Sequence, residues 1–332
     1  MSTTIQIKRP RIALTIGDPS GIGPELVAKL LADPVNRQKA EIRVLASSDE
    51  ISAAAAEVGV SIPIGEEYDG ANVVAVGSNY SGEEAPRGTF SLAGGKRVYA
   101  DLLKALEMYK SGEADSIMFA PLNKTALHLA GMNEEDELRW FAKFLDFDGF
   151  TSELNFVPGL TTSRVTSHIP MSEVAARMNA FDVNNAIVLL NDVIRGSGVA
   201  EPRIAVCALN PHGGENGQFG REEIEHITPG VKIAQNAGIN VSGPFPADTL
   251  FIKAHQGEFD GVVTMYHDQG QIAMKLMGFD SGVTVQGGLP VPIATPAHGT
   301  AYEIVGQGIA NLGPTQRAFD ISVSLGLQQE SN

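Results

Sequence analysis

The sequence predicts an α/β protein built on mostly parallel sheets. Apolar, strand-like runs alternate with helical patterns along most of the chain, beginning with a strand at Arg11–Ile16 and a helix from Pro24. Strands that alternate with helices are typical of βαβ units, in which the crossover helix lets neighbouring strands run parallel. A length of 332 residues exceeds the usual size of one domain, so we expect two domains.

Each element of the first half follows from a local pattern. The apolar run Arg11–Ile16 enters the Gly- and Pro-rich loop Gly17–Gly23. Pro24 then occupies the first turn of a helix, where its missing N–H costs no hydrogen bond. Further strands are predicted over Glu41–Ala46, Ala71–Val76 and Asp115–Ala120, with helices over Ile51–Val58 and Gly95–Tyr109.

A second strand and helix series starts near Gly131. Its strands are predicted over Glu153–Val157, Ser163–Thr166, Ile204–Ala208, Gly261–Met265 and Gly282–Gln286. Its helices are predicted over Met171–Met178, Asn184–Arg195, Thr300–Gly308 and Thr315–Leu325. Because the last helix is expected to return to the first domain, that domain is predicted to be discontinuous, with residues 1–130 and 300–332. The second domain is predicted to span residues 131–299.

The composition excludes several classes of partner. The formal net charge is −15 and Lys and Arg form no cluster, whereas nucleic acids and anionic membranes need a cationic surface. The single Cys207 excludes an internal disulfide, and its apolar surroundings predict a buried, inert thiol. No stretch approaches the ~18 apolar residues of a membrane span. The N-terminal apolar run is too short for a secretory signal, so we expect a cytoplasmic location.

Three histidines follow three of the predicted strands. His168, His212 and His267 each lie just beyond a strand exit, where α/β sheets bind their ligands. A single histidine is more often packed or hydrogen-bonded than bound to metal, and the spacing matches no short zinc motif. Three together make a divalent metal site and a structural role equal alternatives, and for a metal Zn²⁺ leads, with Co²⁺, Mn²⁺, Ni²⁺ or Mg²⁺ as alternatives. His128, His226 and His255 lie in helical or polar stretches and are predicted to be surface or structural residues.

Two charged residues near these histidines are candidates for proton transfer. Asp248 follows Gly243–Ala247, which is predicted to be a rigid loop, and Lys275 lies two helical turns beyond His267. A carboxylate and an ammonium beside a Lewis acid could handle the protons of an alcohol oxidation. The alternative for each is a solvated surface charge.

Two further segments allow two interpretations each. The glycines of Gly17–Glu25 could bring backbone N–H groups close to a phosphate, but their spacing is neither GxGxxG nor a P-loop, so a plain turn is the alternative. The acidic segment Asp136–Leu145 carries the only Trp, Trp140, and is predicted to be either a surface helix or a lid.

A familiar motif appears near the C-terminus. His298-Gly299-Thr300-Ala301, followed by a Gly-x-Gly-Ile-Ala-Asn stretch ending at Asn311, resembles the nicotinamide-dinucleotide loop of the isocitrate and isopropylmalate dehydrogenase superfamily. This motif and those at 17–25, 210–212 and 266–270 together resemble one family. On them the chain is identified as a member of the 4-hydroxythreonine-4-phosphate dehydrogenase family of pyridoxal phosphate biosynthesis. The resemblance runs nearly end to end.

This resemblance implies a two-domain isocitrate/isopropylmalate dehydrogenase-like fold with an interdomain active-site cleft, in a homodimer whose contact helps to build the site. It implies a divalent ion on His168, His212 and His267. It also implies NAD or NADP against His298, Gly299, Thr300 and Ala301, with Asn311 close by. The reaction would oxidise a secondary alcohol to a ketone, after which the β-keto acid loses CO₂. Lys275 matches the substrate-contacting lysine of the family, and Asp248 is the second catalytic candidate.

The substrate end departs from the family pattern. The Gly-His-Thr-Glu segment that contacts phosphorylated substrate is replaced by Asn133–Trp140, the substrate Asn by Thr284, and the Arg by Ile293. Losing an Arg removes a bidentate anion clamp. The substrate could thus be a phosphorylated hydroxy acid such as 4-phosphooxy-threonine, or an unphosphorylated cis-dihydrodiol dicarboxylate from terephthalate. A solute-binding protein or an inactive scaffold is disfavoured, because all the candidate chemical residues are present.

Overall fold

The protein divides into two compact α/β units. A computed structural model describes residues 9–278 and 281–329. Unit 1 comprises Met1–Glu134 and Val291–Asn332, and unit 2 comprises Glu135–Pro290. The predicted second domain included residues 291–299, whereas these residues belong to unit 1, because a strand within them pairs with a strand of that unit. Within the described residues, no helix is long and apolar enough to cross a membrane.

The N-terminal part of unit 1 alternates strands and helices as predicted. Its elements are β1 (Arg11–Thr15), α1 (Gly23–Ala32), α2 (Pro34–Lys39), β2 (Glu41–Val44), α3 (Ser48–Glu57), β3 (Ile64–Gly65), β4 (Val73–Ala75), α4 (Leu92–Lys110), β5 (Ser116–Phe119) and α5 (Lys124–Leu129). Pro24 lies in the first turn of α1, as expected. A capping box starts α3, in which Ser47 and Glu50 each hydrogen-bond the other's backbone N–H.

Unit 2 carries the histidines. Its elements are α6 (Glu137–Phe144), β6 (Ser152–Val157), β7 (Leu160–Arg164), α7 (Met171–Arg177), α8 (Ala180–Gly196), β8 (Ile204–Cys207), a loop over Pro211–Gly217, a π-helical segment over Glu223–Ile227, α9 (Thr228–Asn236), β9 (Val241–Phe245), α10 (Ala247–His255), β10 (Gly261–Thr264), α11 (His267–Gly278) and β11 (Val283–Gly287). The chain then returns to unit 1 through β12 (Ile293–Pro296), a 3₁₀ turn (Tyr302–Ile304) and α12 (Gly313–Gln329).

The sheet of unit 1 is parallel. Its strands follow the order β3-β4-β2-β1-β5-β12, and every pairing between neighbours runs parallel. Ile12, Ala13 and Leu14 of β1 are all fully buried. A strand without an exposed apolar face is covered by helices on both sides, as a parallel sheet requires. The loop after β1 and the loop after β5 therefore open at the same edge of the sheet.

The sheet of unit 2 is mixed. Its strands follow the order β11-β6-β7-β10-β8-β9, in which β7, β10, β8 and β9 are parallel and β6 is antiparallel to both of its neighbours. Cys207 ends β8 and is fully buried, and burial raises the pKa of its thiol. The prediction of an inert cysteine agrees with this position. The carboxyl ends of β7, β10 and β8 lie at one edge, where the three histidine loops begin.

One helix prediction is wrong, and not every strand was predicted. The segment Thr300–Gly308 was expected to be a helix but forms only the short turn Tyr302–Ile304, because Gly306 and Gly308 have positive φ angles of 78° and 66° that interrupt a helix. Strand β12 was not predicted at all. Prolines at 290, 292 and 296 lack the backbone N–H that a strand normally donates, and they obscure the strand pattern.

The acidic segment contains a packed helix. Asp136 precedes α6 and accepts a hydrogen bond from the N–H of Arg139, which makes it the N-cap. Leu138, Trp140 and Phe141 are buried, so the apolar face of α6 is packed against other parts of the protein. The helix predicted here is present, and it is anchored by its aromatic side chains.

Candidate functional site

Two of the three candidate histidines lie side by side. His168 follows β7 and His267 begins α11 directly after β10. These strands pair in parallel, with Arg164 opposite Thr264, so their carboxyl ends are adjacent. The two imidazole ring centroids are 5.7 Å apart. Both residues line a cavity of about 230 Å³, together with Met171.

Each of these two imidazoles is bonded to a carboxylate. Nδ1 of His168 lies 2.8 Å from Oδ2 of Asp136, and Nδ1 of His267 lies 2.7 Å from Oδ1 of Asp268. A carboxylate on Nδ1 leaves Nε2 as the atom that can bind a metal ion. The histidine pair and its carboxylates thus have the chemistry of two ligands of a divalent metal, and we name this set of four residues the histidine pair site.

His212 lies on an unusual loop after β8. Five consecutive residues from His212 to Asn216 have positive φ, with His212 at 55°. The buried carboxylate of Glu223 holds the start of this loop, because its Oε1 accepts hydrogen bonds from the N–H groups of Leu209 (2.9 Å) and Asn210 (2.8 Å). Its Oε2 accepts a third from the side-chain amide of Asn210 at 2.9 Å. The carboxylate of Glu223 therefore stabilises the conformation at the start of the His212 loop.

Among the described residues, His212 does not lie in a group with the histidine pair. Across residues 9–278 and 281–329, no three His, Cys, Asp or Glu side chains are grouped closely enough to hold a metal ion. β8 does neighbour β10, but His212 lies five residues beyond its strand and on the left-handed loop. The structure brings together two of the three predicted ligands and places the third apart from them.

Backbone strain concentrates at the candidate residues. The non-glycine residues with positive φ in the described chain are Asp146, His168, His212, Glu215, Asn216 and Ala301. Three of these six are candidate site residues, and Glu215 and Asn216 lie on the same loop as His212. A side chain in this region costs of order 1–3 kcal/mol and persists where the surroundings impose it, often at functional sites. The strain supports a functional role for both histidine loops.

The two candidates for proton transfer lie on helices. Asp248 occupies the first turn of α10 and Lys275 the last turns of α11, and both side chains are exposed. The expected rigid loop Gly243–Ala247 is instead the end of β9 and the start of α10. Their catalytic roles remain predictions.

In unit 1 hydrogen bonds join the Gly-rich loop Gly17–Gly23 to the predicted cofactor loop that begins at His298. The N–H of Ile22 donates to the carbonyl oxygen of Thr300 at 3.0 Å. A Cβ at Gly21 would lie 2.8 Å from that same oxygen, so only glycine permits this approach. Asp18 is 0% exposed and accepts hydrogen bonds from the N–H of Ser20 at 2.9 Å and the hydroxyl of Tyr302 at 2.6 Å. The contact with Thr300 explains why glycine occupies position 21.

The predicted cofactor residues divide into buried and exposed ones. Burial lowers the pKa of His298, whose Nε2 is enclosed and has no hydrogen-bond partner among the described residues. An enclosed polar atom without a partner fits a loop that awaits a polar group of a ligand. Thr300 is buried, Gly299 is exposed, and exposed Asn311 accepts a hydrogen bond from the N–H of Gly313 at 2.9 Å at the start of α12. Burial and the bond to Asp18 raise the pKa of the Tyr302 hydroxyl.

Sequence reasoning missed Asp136, Glu223 and Tyr302. An Asp before an apolar helical run does indicate an N-cap, so the place of Asp136 at the start of α6 was recognisable. Its contact with His168, 32 residues away, was not. No local pattern marks Glu223 or Tyr302, because their partners come from other loops.

The fold defines the class of protein. A solved isocitrate dehydrogenase from Methylococcus capsulatus aligns with a TM-score of 0.50 at 15% identity, covering 97% of this chain and 86% of that one, which is a likeness of fold alone. The chain is thus an α/β protein whose fold is similar to that of isocitrate dehydrogenase. The family model described as "Pyridoxal phosphate biosynthetic protein PdxA" matches residues 23–322, and the chain belongs to that family. The resemblance seen in the sequence is confirmed.

Relatives agree in their enzyme class. A Pseudomonas aeruginosa protein provisionally named 4-hydroxythreonine-4-phosphate dehydrogenase 2 is 51% identical over 328 residues, 96% of this chain and 97% of that one. The D-threonate 4-phosphate dehydrogenase of Cupriavidus necator is 35% identical over 310 residues, 91% of this chain and 93% of that one. These dehydrogenase relatives and the family model make the chain an oxidoreductase that acts on a CH–OH group.

Two solved structures differ in substrate. A 4-hydroxythreonine-4-phosphate dehydrogenase from Burkholderia phymatum has a TM-score of 0.78 at 35% identity, covering 96% of this chain and 98% of that one. A terephthalate 1,2-cis-dihydrodiol dehydrogenase from Burkholderia xenovorans has a TM-score of 0.72 at 26% identity, covering 96% and 99%. The names of these two proteins denote a phosphorylated and an unphosphorylated substrate, respectively.

Proposed function

We propose that the chain is a nicotinamide-dependent dehydrogenase that oxidises a secondary alcohol of a phosphorylated hydroxy acid, like 4-hydroxythreonine-4-phosphate dehydrogenase. The resulting β-keto acid would then lose CO₂. The observation that carries the proposal is the histidine pair site, in which two imidazoles present Nε2 at the carboxyl ends of parallel strands. The named activities of the dehydrogenase relatives support the phosphorylated substrate.

A second substrate class has structural support of its own. Ile293, at the position of the family's Arg, is 0% exposed within β12. Thr284, at the position of the family's Asn, accepts a hydrogen bond from the side chain of Asn155 at 3.2 Å. Neither residue can supply the charged clamp that holds a phosphate. These two positions favour an unphosphorylated dicarboxylate or diol, as named for the terephthalate relative.

The proposal includes one divalent ion, with Zn²⁺ preferred. His168 and His267 fit this ion, since a carboxylate on each Nδ1 fixes the tautomer that ligates through Nε2. When bound, the ion would act as a Lewis acid on the alcohol oxygen. In the chain itself, Asp248 is proposed to accept a proton and Lys275 to contact the substrate.

The third ligand would come from a second copy of the chain. His212 lies outside the histidine pair site, so a homodimer in which each subunit lends its His212 would complete two sites by symmetry. Exposed apolar side chains close to the pair support such a contact. Ile272 and Leu276 are 61% and 84% exposed on α11, the helix that begins at His267, and Met171 beside the cavity is 63% exposed.

The cofactor is proposed to be NAD or NADP bound at His298–Ala301, near Asn311. The enclosed Nε2 of His298 would gain the hydrogen bond that it lacks. The backbone of Thr300 is already fixed by Ile22, so this loop is preorganised for a ligand. A cytoplasmic location remains a prediction.

The deciding experiment is an assay of NAD(P)H formation. Purified protein would be given NAD⁺ or NADP⁺, Zn²⁺, Mn²⁺ or Mg²⁺, and 4-phosphooxy-threonine, D-threonate 4-phosphate or a terephthalate-type cis-dihydrodiol. Turnover of a phosphorylated substrate supports the first proposal, and turnover of the dihydrodiol alone supports the second. No reduced nicotinamide with any substrate, in protein that has bound metal, would refute both.

A further inference from the structure

We propose that Asp136 is a positioning residue that sets the tautomer of His168. Its Oδ2 lies 2.8 Å from Nδ1 of His168, and Asp136 is only 5% exposed. An ionised carboxylate can only accept hydrogen bonds, so it requires a hydrogen on Nδ1 and leaves a lone pair on Nε2. The inference rests on the proposed role of His168 as a metal ligand, but the contact itself does not depend on metal.

Hydrogen bonds at both oxygens hold the carboxylate of Asp136 in its orientation toward His168. Its other oxygen, Oδ1, accepts the N–H of Arg139 at 2.8 Å and thereby caps α6. The helix is held in turn by buried Leu138 and Phe141. Oδ1 therefore caps the helix, and Oδ2 contacts the imidazole. The packing of α6 fixes the positions of both oxygens.

Charge supports the same assignment. Buried Arg164, at the end of the strand that leads to His168, interacts electrostatically with Asp136 and hydrogen-bonds Glu153. The positive charge of Arg164 attracts the Asp136 carboxylate and helps to hold it in place. Asp268, by contrast, is 70% exposed beside His267, where water competes for the imidazole. Asp136 thus constrains the tautomer of its histidine more strongly than Asp268 does.

The test is the variant Asp136→Asn. Asparagine caps helices about as well as aspartate, so α6 should remain. Its amide can donate to Nδ1, which favours the opposite tautomer with hydrogen on Nε2. Long-range ¹H–¹⁵N spectra of the metal-free protein at about pH 9, above the ordinary histidine pKa of about 6.5, would report the tautomer, with the His168 signals assigned by their loss in His168→Gln. We expect hydrogen on Nδ1 in the native protein and on Nε2 in the variant.

The matched control is Glu135→Gln, which removes the same charge from the adjacent, exposed position. The control should keep the native tautomer. If the native protein and Asp136→Asn show the same tautomer, or if Glu135→Gln shifts it equally, the proposal is overturned. If the asparagine variant unfolds, Asp136→Ser keeps a capping side chain without the carboxylate, and it should lose the single dominant tautomer.

A second measurement separates this inference from the proposed function. Calorimetric titration with Zn²⁺ should show about 10–100-fold weaker binding to Asp136→Asn, the usual cost of losing a carboxylate behind a metal-bound histidine, and unchanged binding to Glu135→Gln. A tautomer that changes in a protein that never binds Zn²⁺ would refute the metal proposal alone. Equal Zn²⁺ affinity in native protein and Asp136→Asn, with an unchanged tautomer, would refute the role of Asp136 alone.

Discussion

The hydroxyl of Tyr302 donates a 2.6 Å hydrogen bond to Oδ2 of Asp18, a carboxylate with no solvent exposure. The two residues are 284 positions apart, and their bond joins the first strand–helix loop to the predicted cofactor loop of the same unit. A buried carboxylate depends on its few donors, because water cannot replace them. The loop that begins with His298 is therefore held by its contact with the N-terminal loop.

The variant Tyr302→Phe should test this contact. It leaves Asp18 with one donor fewer, so the free energy of unfolding should fall by about 1–3 kcal/mol, measured by urea denaturation. Affinity for the nicotinamide cofactor should fall as well. Tyr80→Phe is the control, because Tyr80 bonds an exposed carbonyl of Glu83 and its loss should change stability by less than about 0.5 kcal/mol. Equal effects of the two changes would contradict the prediction.

Metal binding should depend on the histidine pair. His168→Ala and His267→Ala should each abolish tight binding of Zn²⁺, measured by elemental analysis after dialysis, while circular dichroism shows a folded protein. His255→Ala, which removes an exposed histidine at the end of α10, should bind metal normally. Full metal content in His168→Ala would contradict the assignment.

Mixed dimers test the origin of the third ligand. His168→Ala and His212→Ala should each be inactive alone. If His212 comes from a second copy, mixed subunits should regain about a quarter of native activity, because half the dimers are mixed and each has one intact site. If all three histidines came from one chain, every site in the mixture would lack a ligand. No recovery, in dimers shown to exchange subunits, would refute the shared site.

Glu223 should control the His212 loop. Glu223→Ala removes an acceptor of three hydrogen bonds, from two backbone N–H groups and the Asn210 amide. The two partly buried backbone N–H groups lose their acceptor, which costs up to about 1–3 kcal/mol each, while the Asn210 amide keeps its bond to Glu222. Stability should fall, and metal affinity with it. Glu225→Ala, at an exposed residue paired with Arg221, should have little effect on either quantity. Native metal affinity in the first variant would argue against the loop's role.

Asp101 should give unit 1 a specific pH dependence. Burial raises the pKa of Asp101 to about 6 from 3.8, despite its bond to Arg97. Between these values the folded protein keeps a proton that the unfolded chain releases, so this residue's stability contribution is present at low pH and is lost as pH rises toward about 6. The free energy of unfolding of native protein relative to Asp101→Asn should decrease from pH 4 to 6 (the range set by these two values). Asp320→Asn, at an exposed ion pair with Lys39, should show no such trend.

Local patterns were enough for most of the fold. Periodic apolar runs and helix starts such as Pro24 predicted the strands and helices, since those patterns are set by neighbours in the chain. Local patterns failed where the structure depends on contacts between residues that are distant in the chain. The strand Ile293–Pro296 forms because β5 offers a parallel edge, and residues 300–308 stay out of a helix because two glycines there adopt positive φ.

The candidate site shows the same division. By itself the sequence determined the α/β class, the family and the chemical identity of the histidines, aspartate and lysine, because residue type and motif order are local properties. Only the tertiary structure decided that His168 and His267 are neighbours, that Asp136 lies behind one of them and that His212 stands apart. Those facts depend on which strands pair and how a buried loop is held, and such contacts between distant residues leave no local pattern in the chain.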